Sequence, residues 1–277
     1  MKVLGICGRN VADDALERTA DRIVDHLSRE GRVGVIWYDA TIADGTPELR
    51  DPSITPGGDV TYDLGADGDW TATGTDLSVS DALDTLAGDC AYAVVVGVES
   101  LRYPTVLVGE GDDVPQSTVA TVPTPADLDL ETIVEALEDA EPHETLESLV
   151  ARIKRSPDAD RAGAIATFTG RVRAKDSADD ARTEYLEFEK YEGVADERLE
   201  SLRTDLEDRD GVYAVELFHR TGVVRDGEDI VFVVVLAGHR GEAFRTVEDG
   251  INRLKDEVPL FKKEVTVDDE FWVHERA

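Results

Sequence analysis

The residues best suited to chemistry lie in one run near the C-terminus, Leu254 to Glu264, LKDEVPLFKKE. Of the chain's 29 basic residues only seven are lysine: Lys2, Lys154, Lys175, Lys190, Lys255, Lys262 and Lys263. Three of them fall within nine positions. An ammonium can give up its proton and act as base or nucleophile when neighbouring cations or burial lower its pKa; a guanidinium cannot. Lysine kept where arginine is the usual cation points to acid–base or acyl chemistry. A solvated helix end would carry the same residues, so spacing alone leaves both readings open.

Lys255 closes a predicted helix, Pro259 prevents its extension, and Lys262 begins a returning extended segment. A tight turn through Val258, Pro259 and Leu260 would bring both ammonium groups to one pocket. Their repulsion favours the neutral amine on one of them. Further cations sit where anions are well received. Arg171 and Arg173, in GRVR, occupy alternate positions of a predicted strand and so share a face, where guanidinium forks suit phosphate. His239 and Arg240 follow an apolar strand and open a helix, whose first amides favour anions. Taken singly, the first pair reads equally as an exposed edge in salt bridges, and the second as a loop pair.

The elements that must position these residues fall into two patterns. From Thr145 onward, helices are predicted at Thr145–Arg155, Ala195–Asp208 and Glu242–Lys255. Strands are predicted at Gly163–Val172, Tyr185–Tyr191, Val212–Phe218 and Ile230–Leu236, with extended chain from Phe261 to His274. Helices interspersed with mainly antiparallel strands describe an α+β domain. The N-terminal half instead opens strand–helix–strand over Lys2–Cys7, Asp13–Arg29 and Val33–Tyr38, the βαβ unit of a parallel sheet. A Gly/Pro/Asp-rich stretch from Asp44 to Gly74 follows. A helix near Ser78–Ala87, strands at Tyr92–Val96, Thr105–Val108 and Val119–Val122, and a helix at Leu130–Leu137 complete an α/β half.

Composition narrows the partners. The 277 residues, 41% of them hydrophobic, suffice for two packed domains. A formal charge of −32, spread along the chain, repels nucleic acid and anionic membranes, so neither is an expected partner. Such acidity fits work in concentrated salt, where the Debye length is about 3 Å at 1 M, and predicts a halophilic source. Cys7 and Cys90 form no CxxC pair, and the five histidines show no metal spacing, so no metal and no bound cofactor are expected. Cys7, at a strand end with no cation to activate it, reads as core. MKVLGICG lacks the pattern of a signal peptide and no apolar run approaches about 20 residues, so a cytoplasmic protein is expected.

The N-terminal half resembles the P-loop domain of molybdopterin-guanine dinucleotide biosynthesis adaptor proteins. MKVLGICG, GRVGVIWYD, the PGGDV at Pro56–Val60 and DCAYAVVVG occur in matching order. The phosphate-binding loop is lost: glycine, lysine and Ser/Thr are replaced by Asp13, Asp14 and Ala15, and the expected acidic position is Val96. Two carboxylates where phosphates would sit oppose nucleotide binding. Residues 1–140 are therefore expected to form a degenerate P-loop-like accessory domain for docking or dimerisation.

Residues 143–277 resemble the large, catalytic subunit of molybdopterin synthase. GAIATFTGRVR, LEFEKYEG, HRTG, AGHRGEAF, LKDEVPLFKKE and FWV occur in that family's order and spacing. The resemblance implies an α/β hammerhead fold. It also implies sulfur transfer from the thiocarboxylated Gly-Gly tail of a small ubiquitin-fold partner to cyclic pyranopterin monophosphate, giving molybdopterin. It makes Lys255 the principal catalytic lysine and Lys262 its partner. Arg171, Arg173, His239, Arg240, Lys263 and Glu264 would bind substrate, and a homodimer would form the core of a heterotetramer. Phe261 stands where tryptophan is common. His219 and Arg220, in HRTG, are expected to support the fold or a subunit interface. A different class remains: an interaction protein whose lysines accept a ubiquitin-like modifier through isopeptide bonds.

Overall fold

The structure, a computed structural model, describes residues 1–38, 60–111, 114–175, 177, 181–191, 193–267 and 270–273. Most of the PGGDV motif, and His274, lie outside them. The chain divides into two compact units, Met1–His143 and Glu144–Ala277.

The first unit is built on a five-stranded, wholly parallel sheet. Its strands are β1 (Lys2–Arg9), β2 (Val33–Trp37), β5 (Tyr92–Val96), β6 (Thr105–Gly109) and β7 (Thr118–Val122), in the order β2-β5-β1-β6-β7. Strand periodicity sorts the apolar residues to two faces. Leu4, Ile6, Val94 and Val106 pack with Ile23 of helix α1 (Asp13–Leu27) and Ile133 of α3 (Leu130–Asp139). Val3, Ala93 and Val95 pack with Leu83 of α2 (Val79–Ala87). Helices therefore cover both faces, as a parallel sheet requires. The Gly/Asp-rich stretch also holds a hairpin the sequence did not announce, β3 (Val60–Leu64) with β4 (Trp70–Gly74), Tyr62 opposite Ala72. Both strands are largely exposed, so they carry no buried pattern to read.

The second unit is α+β. Helix α4 (Leu146–Ile153) starts in a capping box, with Thr145 and Ser148 each accepting from the other's backbone at 3.0 Å. Strands β8 (Ala164–Arg171), β10 (Val212–His219) and β12 (Asp229–Ala237) make an antiparallel sheet in the order β10-β12-β8. A second antiparallel sheet has the order β11-β9-β13-β14, from β9 (Thr183–Lys190), β11 (Gly222–Arg225), β13 (Leu260–Thr266) and β14 (Glu270–Val273). β12 reads DIVFVVVLA because both its faces are buried. Val231, Val233 and Val235 pack toward α5 (Val194–Glu207) and α6 (Arg240–Glu257), while Phe232, Val234 and Leu236 pack toward α4. Four-residue β11 was not foreseen. No helix among the described residues is long and apolar enough to cross a membrane.

Candidate active site

Helix α6 delivers Lys255. Its buried stripe, Ala243, Val247, Gly250, Ile251 and Leu254, recurs at three- and four-residue spacing and fixes the helix on the sheet. Lys255 lies just off the end of that stripe, exposed in the last turn, where a cation suits the helix dipole. The backbone N–H of Val258 donates to the carbonyl of Leu254 at 3.2 Å, and Pro259 follows to end the helix. β13 then returns beside β9, with Lys262 opposite Phe188 and Glu264 opposite Leu186. Lys262 and Glu264 share one face of the strand; Lys263 points to the other.

These elements enclose a cavity of about 300 Å³. Arg171, Arg173, Lys255, Lys262 and Glu264 stand around it, over apolar walls from Phe168, Leu186, Phe188, Val231 and Leu254. Four cations face one carboxylate inside a protein of formal charge −32. Among the described residues no ion pair or hydrogen bond engages the Lys255 side chain. Glu264 accepts a short hydrogen bond from the Thr183 hydroxyl, which fixes one carboxylate oxygen. Arg171 pairs with Asp229 at 3.2 Å and donates to the Gly227 carbonyl.

The arginine pair is placed differently from expectation. β8 ends at Arg171, and Arg173 follows in the loop, so they are not two strand positions. The β8–β12 ladder shifts register at Asp229/Val231, Arg171 is its last pair on β8, and beyond it the Val172 N–H donates to the Glu228 carbonyl at 2.9 Å. Val172 between them is buried, and both guanidinium groups still line the cavity.

His239, Arg240 and Lys263 are not among the cavity's walls. His239 caps the N-terminus of α6 and Arg240 is its first residue, both exposed. At 1.5 Å per residue they stand about 22 Å from Lys255 along the helix axis.

One wall residue was read from sequence as a fold or interface residue only. His219, the last residue of β10, lines the cavity with its ring edge-on to Phe188, centroids 4.8 Å apart and planes at 73°. Its Nδ1 lies 2.7 Å from the Arg220 carbonyl oxygen. Burial pushes its pKa down to about 4, partly opposed by that hydrogen bond. The signal in sequence was HRTG at a strand end, where a polar side chain can face either core or cavity. Cys7, by contrast, is buried in the first unit, donates to the Val98 carbonyl at 3.0 Å, and is pushed up in pKa by burial. No cluster of three or more His, Cys, Asp or Glu among the described residues is arranged to hold a metal ion.

Residues 138–257 match the family described as MoaE protein. Over 276 residues the chain is 48% identical to a probable molybdopterin synthase from Haloferax volcanii, and the alignment covers 100% of both chains. The chain belongs to the molybdopterin synthase family. The molybdopterin synthase catalytic subunit of Yersinia pestis is 37% identical over 117 residues, 42% of this chain and 76% of that protein. A MobB protein homolog from Bacillus stearothermophilus, 14% identical, aligns with 50% of this chain and 100% of its own at a TM-score of 0.36. As a member of the molybdopterin synthase family, the chain is an enzyme of molybdenum cofactor biosynthesis, with the catalytic-subunit sequence in its second unit.

Proposed function

We propose that the chain transfers sulfur from the thiocarboxylated C-terminus of a small ubiquitin-fold partner to cyclic pyranopterin monophosphate, giving molybdopterin. The observation that carries this reading is the cavity itself: four cations over apolar walls, in a protein otherwise strongly acidic. Two anions must meet there, the substrate phosphate and the partner's thiocarboxylate. Local positive charge offsets the repulsion each would meet elsewhere on this surface. Arg171 and Arg173 are suited to the phosphate, and the aromatic edges of Phe168 and Phe188 to a flat heterocycle.

Lys255 is the group assigned to the chemical step. Uncommitted to any carboxylate among the described residues, its amine can take up a proton as sulfur attacks the pterin side chain, or attack the partner's acyl carbon, breaking its C–S bond so that the sulfur leaves as a thiolate on the pterin. Lys262 lines the same cavity and holds an anion. Glu264, anchored by Thr183, orients a lysine or meets a donor on the pterin. His239 and Arg240, about 22 Å away along α6, serve substrate only where a second copy of the chain brings them to this cavity. That arrangement fits a homodimer at the centre of a heterotetramer. Lys263 lies on the other face of β13 and does not line this cavity.

Calorimetric titration of cyclic pyranopterin monophosphate in molar KCl tests the site. Lys262→Ala and Arg173→Ala are each expected to weaken binding about tenfold, because each removes a charge-assisted contact to an anion. Binding unaffected by both substitutions would place the substrate elsewhere.

A further inference from the structure

We infer that Nε2 of His219 is a substrate-reading acceptor: it takes a hydrogen bond from a ring N–H or hydroxyl of the heterocycle held in the cavity. The inference rests on the functional reading above and adds a specificity-determining residue to it.

Geometry assigns the tautomer. The Arg220 carbonyl, 2.7 Å from Nδ1, can only accept, so Nδ1 carries the proton and Nε2 the lone pair. Packing against Phe188 holds the ring in place. Nε2 has no partner among the described residues. The ring that carries it lines the cavity.

The surrounding groups give this acceptor a purpose. Arg171, Arg173, Lys255 and Lys262 offer donors, which hold anions but do not read a neutral N–H. Glu264 already has one oxygen committed to Thr183. A pterin-class heterocycle brings amide and amine donors of its own, and an acceptor at the cavity wall distinguishes it from an equally charged phosphate ester lacking them. The imidazole does this without adding a fifth positive charge, because burial holds it neutral across the physiological range.

Two amide substitutions separate this role from a structural one. Asn places its amide near Nδ1 and can still donate to the Arg220 carbonyl; Gln places its carbonyl oxygen near Nε2 and can still accept. With the full chain in molar KCl and cyclic pyranopterin monophosphate as titrant, His219→Gln should bind within about threefold of wild type, as a conserved hydrogen bond requires. His219→Asn and His219→Phe should each bind about tenfold more weakly. Thermal unfolding of the ligand-free variants should give the opposite ranking for the amides, Asn above Gln. If Asn binds like wild type while Gln fails, the ring is only a strut for Arg220 and the assignment is overturned. Wild-type affinity in all three variants overturns it equally. Failure of the wild-type chain to bind the pterin removes the functional reading, and this assignment with it.

Discussion

An ammonium group standing clear of every carboxylate is unexpected in a chain with 61 acidic and 29 basic residues, and Lys255 is in that position among the described residues. Elsewhere on α6, Arg245 pairs with Glu242, and Arg253 with Asp205 and Glu257. Lys255→Ala and Lys255→Arg are both expected to lower turnover by about 10²- to 10⁴-fold, the range of a general acid–base group. Arginine keeps the charge but yields no neutral amine, so the second variant separates chemistry from anchoring. Near-normal turnover of Lys255→Arg at saturating partner would reduce the residue to an electrostatic contact. His219 supplies a pH signature of its own. Its pKa of about 4 in the folded chain lies below the roughly 6.5 of an exposed imidazole. The unfolded chain takes up that proton first, so the stabilising effect of the neutral ring is complete above pH 6.5 and declines as pH falls toward 4. Relative to His219→Gln, the wild type should lose roughly 2 kcal/mol between pH 7 and pH 5. Denaturant titrations in molar salt at both pH values measure the difference. At this scale the sequence showed which cations were unusual but not their partners: nothing in GRVR foretells that Arg171 meets Asp229, or that HRTG turns an imidazole to the cavity.

Elements whose faces are buried were legible; those exposed on both sides were not. DIVFVVVLA has to be a core strand, and the apolar stripe of α6 has to be a helix. The β3–β4 hairpin offers no such alternation, since Tyr62, Leu64 and Trp70 are exposed amid Gly and Asp. Short β11 is held chiefly by its ladder to β9, a non-local pairing that sequence periodicity does not encode. The end of β8 escaped for a similar reason, because where its ladder stops depends on β8 and β12 together. Helix α6 packs closely on β12 at Gly250. A Cβ on Gly250 would sit 3.0 Å from Val233 Cγ1 and 3.4 Å from Leu206 Cδ1. Gly250→Leu should therefore cost about 1–3 kcal/mol in denaturant titrations. It should also depress turnover more than substrate affinity, since Lys255 follows five residues later on the same helix and catalysis is sensitive to small displacements. A variant as stable as wild type would show that the helix–sheet gap accommodates a side chain.

For the molecule as a whole, the two units divide what the sequence places along one chain. In the first, the loop after β1 is occupied by its own residues. Val11 is partly buried against the core, and its methyl groups lie 3.0 Å and 2.7 Å from where a Cβ would stand on Gly8 and Gly109. Asp14, the second residue of α1, is tied to Arg18 at 2.6 Å. A phosphate cradle needs open backbone amides and a lysine, whereas Val11 packs into this loop and Asp14 follows in the first turn of α1. Calorimetry with ATP or GTP and Mg²⁺ in molar salt is expected to detect no binding tighter than millimolar; a low-micromolar dissociation constant would reverse that reading. The second unit carries the cavity, where sulfur transfer is proposed to occur. The direct measurement combines the full chain, a thiocarboxylated ubiquitin-fold partner and cyclic pyranopterin monophosphate in molar salt, and follows sulfur from partner to pterin. The expected result is a dithiolene product with two sulfur atoms per pterin, matched by loss of thiocarboxylate. A complex that forms yet leaves the pterin free of sulfur, with the partner joined instead to a lysine through an isopeptide bond, would contradict it.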